Sequence, residues 1–109
     1  MVNQDQLKDL GIRIEKIGEY LKIKDKRLEV QEAELKTQDP GFWDDPKKAE
    51  VHMKSIRGIK FWITSFDGLV ELNGDLEVLF EFAKEGEGDE EEVDKLFDSL
   101  TVAIEELEL

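Results

Sequence analysis

The sequence predicts an all-α protein: an antiparallel three-helix bundle of long amphipathic, coiled-coil-like helices. Three observations predict it. Apolar residues recur at three- and four-residue spacing through most of the chain. No segment alternates polar and apolar with period two between turn signals, so no strand is expected. The strong turn signals, Asp39-Pro40-Gly41 and Gly86-Glu87-Gly88-Asp89, leave three long segments between them.

The first helix is expected over residues 3–36. Leu7, Leu10, Ile14, Ile17 and Leu21 form an a/d seam, and Leu28 and Leu35 continue it at steps of seven. Asn3 or Asp5 is placed to cap the start. Lys24 occupies a position that should be apolar, within the mostly polar run Lys22–Arg27, so a kink or short break is expected around residues 22–26. In the connection that follows, Pro40 presets φ and Gly41 tolerates a positive one.

The second helix is expected over 45–85. Asp45 reads as its N-cap and Pro46 as its first residue. Ala49, Met53, Ile56, Ile63, Phe66 and Val70 form its stripe, widened by Ile59 and Trp62, and Leu76, Leu79, Phe80 and Ala83 resume it. Gly58, Gly68 and Gly74 each cost about 1 kcal/mol relative to Ala in a helix. Asn73-Gly74 is the place where a break is most expected, yet the stripe resumes in nearly the same phase, which favours one long helix. The third helix is expected over 89–108, capped by Asp89, with Glu90–Glu92 in the first turn and a seam of Val93, Leu96/Phe97, Leu100, Ala103/Ile104 and Leu107.

The chain has 109 residues, a length that suits one domain. Leu, Ile, Val and Phe make up 34 of them, enough for a modest core. Zero Cys excludes a disulfide scaffold, a thiolate metal site and a Cys nucleophile; a single His leaves little scope for a His-based metal cage. No catalytic constellation, cofactor motif or metal motif is found, and an enzyme is not expected. No basic-then-apolar leader and no run of about 20 apolar residues is found, so no membrane role is expected and the cytoplasm is the default compartment.

Net charge is −13, from 15 Lys+Arg against 28 Asp+Glu. It is unevenly spread: residues 1–63 hold 13 of the cations against 12 acids, whereas residues 64–109 hold only Lys84 and Lys95 against 16 acids. DNA binding is not expected, and any contact with RNA has to come from the first half. The candidate partner-contact residues are Phe42, Trp43, Lys47, Lys48 and Lys54. For Phe42 and Trp43 the favoured alternative is a loop plug packed on the bundle end; loss of a buried Trp43 then costs roughly 3 kcal/mol. For the lysines the alternative is ordinary solvated helix surface with pairs such as Glu50–Lys54. His52 reads as a partly exposed helix residue. Phe61, Trp62 and Ile63 read as core, although they cannot all face one way, so at least one lies at an edge.

The segment Glu34-Leu35-Lys36-Thr37-Gln38-Asp39-Pro40-Gly41-Phe42-Trp43-Asp44-Asp45-Pro46-Lys47-Lys48-Ala49 resembles the turn between the first two long helices of bacterial class I peptide chain release factors of the release factor 2 type. Gly18-Glu19-Tyr20-Leu21 and Lys26-Arg27-Leu28-Glu29 resemble the first helix of that family, and Ile104–Leu109 the end of its N-terminal helical domain. The resemblance implies a ribosome-contacting helical module for termination at UGA and UAA. Its implied partners are the stalk base, formed by ribosomal protein L11 and its rRNA, and the remaining domains of the same factor. The family's Gly-Gly-Gln and Ser-Pro-Phe motifs do not occur here, so no catalytic or codon-reading residue carries over. Leu21 is followed by Lys22 where many members have Asp at a frameshift site, so frameshift control does not carry over either. The chain stops in a helical run without a C-cap residue, which predicts one module of a longer factor; a stand-alone helical protein–protein interaction module is the alternative.

Overall fold

A computed structural model describes all 109 residues. It contains four α-helices and no strand: α1 (Gln4–Tyr20), α2 (Ile23–Lys36), α3 (Pro46–Lys84) and α4 (Glu90–Glu108), with a short 3-10 turn at Phe42–Asp44. The molecule is elongated, measuring 61 × 25 × 18 Å.

The single helix expected over 3–36 is therefore two, and the expected count of three helices becomes four. The break falls at Lys22, which adopts the left-handed conformation at φ 54°. The amides of Leu21 and Lys22 donate back to the carbonyls of Ile17 and Glu19 to close α1, and the Lys26 ammonium donates to the Leu21 carbonyl. A left-handed residue rotates everything after it. Hence α2 buries Ile23 and Val30, while Leu28 and Leu35, expected to extend the seam, are each 58% exposed.

The other local signals act through identifiable hydrogen bonds. Asn3 caps α1 in a reciprocal box with Gln6. Asp39–Phe42 is a hydrogen-bonded turn, with the Phe42 amide donating to the Asp39 carbonyl and Gly41 at φ 88°, the geometry that requires glycine at the third position. Asp45 accepts from the Lys48 amide to cap α3. At the other end of α3, Gly86 at φ 82° lets the amides of Gly86 and Glu87 return to Ala83 and Phe82, a Schellman closure. Asp89 caps α4 through the Glu91 amide.

Contacts between helices fix their directions. Leu7 lies beside Phe80, the Gly18 backbone sits against the Phe66 ring, Arg27 binds Asp67 and Glu34 binds Lys60. Residue numbers rise along α1 and α2 as they fall along α3, so both run antiparallel to it. The Val2 amide donates to Asp94 and Arg13 binds Glu108, so α4 runs parallel to α1. Eleven buried side chains from α1, the C-terminal half of α3 and α4 form one core cluster, with Leu76, Leu100 and Ile104 fully enclosed. The N-terminal half of α3 packs on α2 and the 3-10 turn, burying Ile23, Val30, Ala49 and Ile56 outside that cluster. This second region is a two-helix arm.

Along α3 the buried face consequently changes sides. It is Ala49, Ile56 and half-buried Ile63 towards α2, then Leu69, Leu76, Phe80 and Ala83 towards α1 and α4. The crossover explains why Val70, expected in the stripe, is exposed and Leu69 takes its place. The helix continues unbroken through Asn73-Gly74, since Leu69 and Leu76 are buried on either side and their packing outweighs the about 1 kcal/mol cost of a helical glycine. Asn73 Nδ2 reaches Glu77, and its Oδ1 is buried without a partner.

Lys22→Gly is expected to raise the melting temperature, because a non-glycine residue in left-handed geometry costs about 1 kcal/mol. A fall in the melting temperature on calorimetry would show that this geometry does not set the α1–α2 break.

Candidate partner-contact surface

The tip of the arm is built by the α2–α3 connection. The Asp39–Phe42 turn reverses the chain, the 3-10 turn presents Phe42 and Trp43 in succession, and the Asp45 cap with Pro46 starts α3. Phe42 is half-buried and sits edge-on to His52, with ring centroids 5.3 Å apart. His52 Nε2 lies 2.7 Å from the Ala33 carbonyl, the contact of a ring N–H donating to it, and so ties α3 to the end of α2. Phe42 thus packs as the loop reading expects.

Trp43 does not. It stands edge-on to Phe42 at 4.7 Å and is 60% exposed. The expectation of a buried plug, and of roughly 3 kcal/mol lost with it, is corrected: at this end only two helices meet, so no third surface exists to cover the indole.

Lys47 and Lys48, both exposed, share a shallow depression with Val51, His52 and Ser55, which joins them to the surface that Phe42 reaches through His52. Lys54 is exposed one heptad beyond Lys47, on the same face of α3. The expected Glu50–Lys54 pair is not formed, and Lys47, Lys48 and Lys54 make no ion pair. By contrast, Arg27 and Lys60 on the inner side of the arm are committed to Asp67 and Glu34. The Arg27 guanidinium hydrogen-bonds the Asp67 carboxylate, holding Asp67 below the usual carboxylate range and raising Arg27. In the α1–α3–α4 region Arg13 does the same to Glu108. The outer cations are thus free for a partner, and the inner ones are structural.

Two residues read from sequence as core lie on the outer face of α3 instead. Phe61 is 60% and Trp62 40% exposed, ring against ring at 5.3 Å, with Ile63 turned inward. Val51, which drew no attention in the sequence, is also exposed there. The signal that finds Val51 and Phe61 is a second heptad, Lys47-Val51-Lys54-Gly58-Phe61, overlapping the buried stripe of Ala49 and Ile56.

Sequence comparison finds similarity to peptide chain release factor 2 from several bacteria. The Campylobacter concisus protein is 34% identical over 92 residues, covering 84% of this chain and 25% of that protein. The Acidothermus cellulolyticus protein is 35% identical over 86 residues, covering 79% of this chain and 23% of that protein. The Pseudoalteromonas translucida protein is 32% identical over 106 residues, covering 95% of this chain and 28% of that protein. The chain spans about a quarter of the length of these relatives. No family model matches it, and neither does any solved structure.

Trp43→Ala is expected to cost less than about 1 kcal/mol in chemical denaturation, the scale of a surface substitution; a loss near 3 kcal/mol would mean that the indole is buried in solution. Asp67→Asn is expected to destabilise the arm slightly at neutral pH. Because the folded carboxyl titrates below its unfolded value near pH 3.9, its contribution is present above that pH and is lost as pH falls through the folded pKa. Wild type and variant should therefore converge in melting temperature in strong acid; a gap that persists there would exclude the ion pair as its cause.

Proposed function

We propose that this chain, related by sequence to bacterial peptide chain release factor 2, serves translation termination at UGA and UAA stop codons as a ribosome-contacting helical module. In this reading it performs no chemistry of its own. Codon reading and peptidyl-tRNA hydrolysis belong to the remaining domains of a release factor, which are among its partners, and the compartment is the cytoplasm. The ribosomal partner is the stalk base, ribosomal protein L11 with its rRNA. The four helices act as an antiparallel bundle of three rods, with α1 and α2 as one broken rod.

One observation supports this reading above the rest. The block that resembles release factors, residues 34–49, forms the arm tip, where Lys47, Lys48 and Lys54 stand exposed and unpaired beside Phe42 and Trp43. Phosphate neutralisation needs unpaired cations, and exposed aromatics offer stacking surface. The acid-rich residues 64–109 surround the opposite end, so the molecule carries a polarity that orients its tip towards RNA. A second reading, a helical protein–protein interaction module, draws support from the exposure of Phe61 and Trp62.

The test is co-sedimentation of the 109-residue chain with bacterial ribosomes. Binding is expected at low salt and should weaken as salt rises. Charge reversal of Lys47, Lys48 and Lys54 to Glu should weaken it by about ten-fold or more and flatten the salt dependence. Equal binding by the reversed variant at low salt would remove these lysines from the contact.

A further inference from the structure

One side of the C-terminal half of α3 is bare. Phe66 and Asn73 turn towards Gly18 and Gly11 of α1. Leu72, Leu76 and Leu79 join the core that α1 and α4 share. On the side away from that core, α2 reaches only as far as Asp67, which Arg27 binds. Beyond Asp67 come Val70, Gly74, Val78 and Phe82, at steps of four, which places them on a single ridge along the helix. All four are exposed, Val78 at 55% and Phe82 at 48%.

We infer that this ridge docks a cationic amphipathic helix of another protein, with the apolar strip of that helix on Val70, Val78 and Phe82 and its Lys or Arg residues along the flanks. Charge is the first argument. Glu71 and Asp75 run along one flank and Glu77, Glu81 and Glu85 along the other, all exposed. None of the five is in an ion pair, and a 3.4 Å contact from the Asn73 amide to Glu77 is their one side-chain hydrogen bond. Lys84, the one cation in this half of α3, is turned to the Phe80 ring instead. Carboxylates four residues apart repel one another along a helix, and no cation of the chain offsets that repulsion here. A helix with two basic flanks offsets it on both sides at once. The same charges turn away RNA and anionic lipid, and a second copy would bring its own net charge of −13.

Shape is the second argument. Residues four apart form the ridges that interlock when two helices pack. Gly74 leaves bare backbone between Val70 and Val78, and a Cβ there would meet nothing within 4 Å. The dip is therefore not filled from within the chain. It opens into a shallow depression walled by Val78 and Phe82 and rimmed by Glu77, Glu81 and Glu85. An apolar side chain fits the floor and basic side chains fit the rim, which is the pattern of a helix laid in a groove. The ridge shares no residue with the arm tip, so the inference goes beyond the ribosomal reading and does not rest on it.

Fluorescence anisotropy of a labelled Leu/Lys peptide designed as an amphipathic helix, titrated with the 109-residue chain, reads the docking. Neither ribosomes nor RNA are present, so failure here is distinguishable from failure of the ribosomal reading. Saturable binding is expected. A peptide of the same composition with its leucines scattered should bind about ten-fold or more weakly, because it presents no apolar strip. Glu77→Lys with Glu81→Lys should weaken binding by about ten-fold or more, and Val78→Ser with Phe82→Ser by about as much. All four positions are exposed, and circular dichroism checks that the helices persist. Asp98→Lys with Glu106→Lys makes the same change of charge at exposed, unpaired positions of α4 and should leave binding nearly unchanged. Equal weakening by the α4 pair would show attraction to net charge alone and overturns the inference. Equal binding of the two peptides, or no binding of either, overturns it as well. So does self-association of the chain in sedimentation velocity that Val78→Ser with Phe82→Ser abolishes, since the ridge then belongs to a second copy.

Discussion

Every packing relation in this molecule depends on the length of α3. It is about twice as long as any other helix, and each of the other three packs on it. A helix of that length cannot be covered by one partner of ordinary size, so its apolar residues are distributed to different sides at different heights. In the C-terminal half two partners, α1 and α4, enclose Leu76 completely. In the N-terminal half one partner, α2, covers Ala49 and Ile56 and leaves the other side open. The break at Lys22 follows from the same demand. The first rod has to serve the α1–α3–α4 core along Leu7–Ile17 and then meet α3 on the side that carries Ala49 and Ile56, and a left-handed residue supplies that rotation where an a/d seam would not.

Charge follows the same division. Residues 64–109 carry 16 of the 28 acids, arranged around a core that is wholly apolar, with no charged group buried. The acids therefore cost little desolvation, and the mutual repulsion they create is spread over solvated surface. The arm holds most of the cations and separates them by role. Arg27 and Lys60 bridge α2 to α3, while Lys47, Lys48 and Lys54 point outward without partners. A net charge of −13 thus conceals a molecule with a near-neutral, cation-bearing tip and a strongly acidic base.

What was legible in the sequence was local. Asn3, Asp45, Pro46, Gly41, Gly86 and Asp89 act where they were read, because caps and turns are decided by a few adjacent residues. Lys24 in an apolar position announced that the first seam weakens. The new phase of α2 is not legible, since it depends on the φ of one residue, and so the seam pattern puts Leu28 and Leu35 inside whereas they face water. Trp43, Phe61 and Trp62 are exposed for a different reason. Their spacing is compatible with burial, but burial also requires a third helix alongside, and which stretch of α3 has one is decided by tertiary packing. The candidate lysines could be identified as a group, whereas their separation from the structural pair Arg27 and Lys60 needed the direction of α2.

Uneven coverage also makes stability uneven. The core cluster joins three helices through eleven buried residues, whereas the arm is held by four buried side chains, two surface ion pairs and the His52–Ala33 hydrogen bond. Exposed ion pairs contribute little, typically below about 1 kcal/mol each, so the arm opens at lower free energy than the bundle that anchors it. Its outer face carries the exposed Val51, Phe61 and Trp62 beside Lys47 and Lys54, and lacks the third layer that the C-terminal half has. The surface best equipped to bind is therefore the part of the fold with the least support of its own, because α3 shares its C-terminal half with α1 and α4 and its N-terminal half with α2.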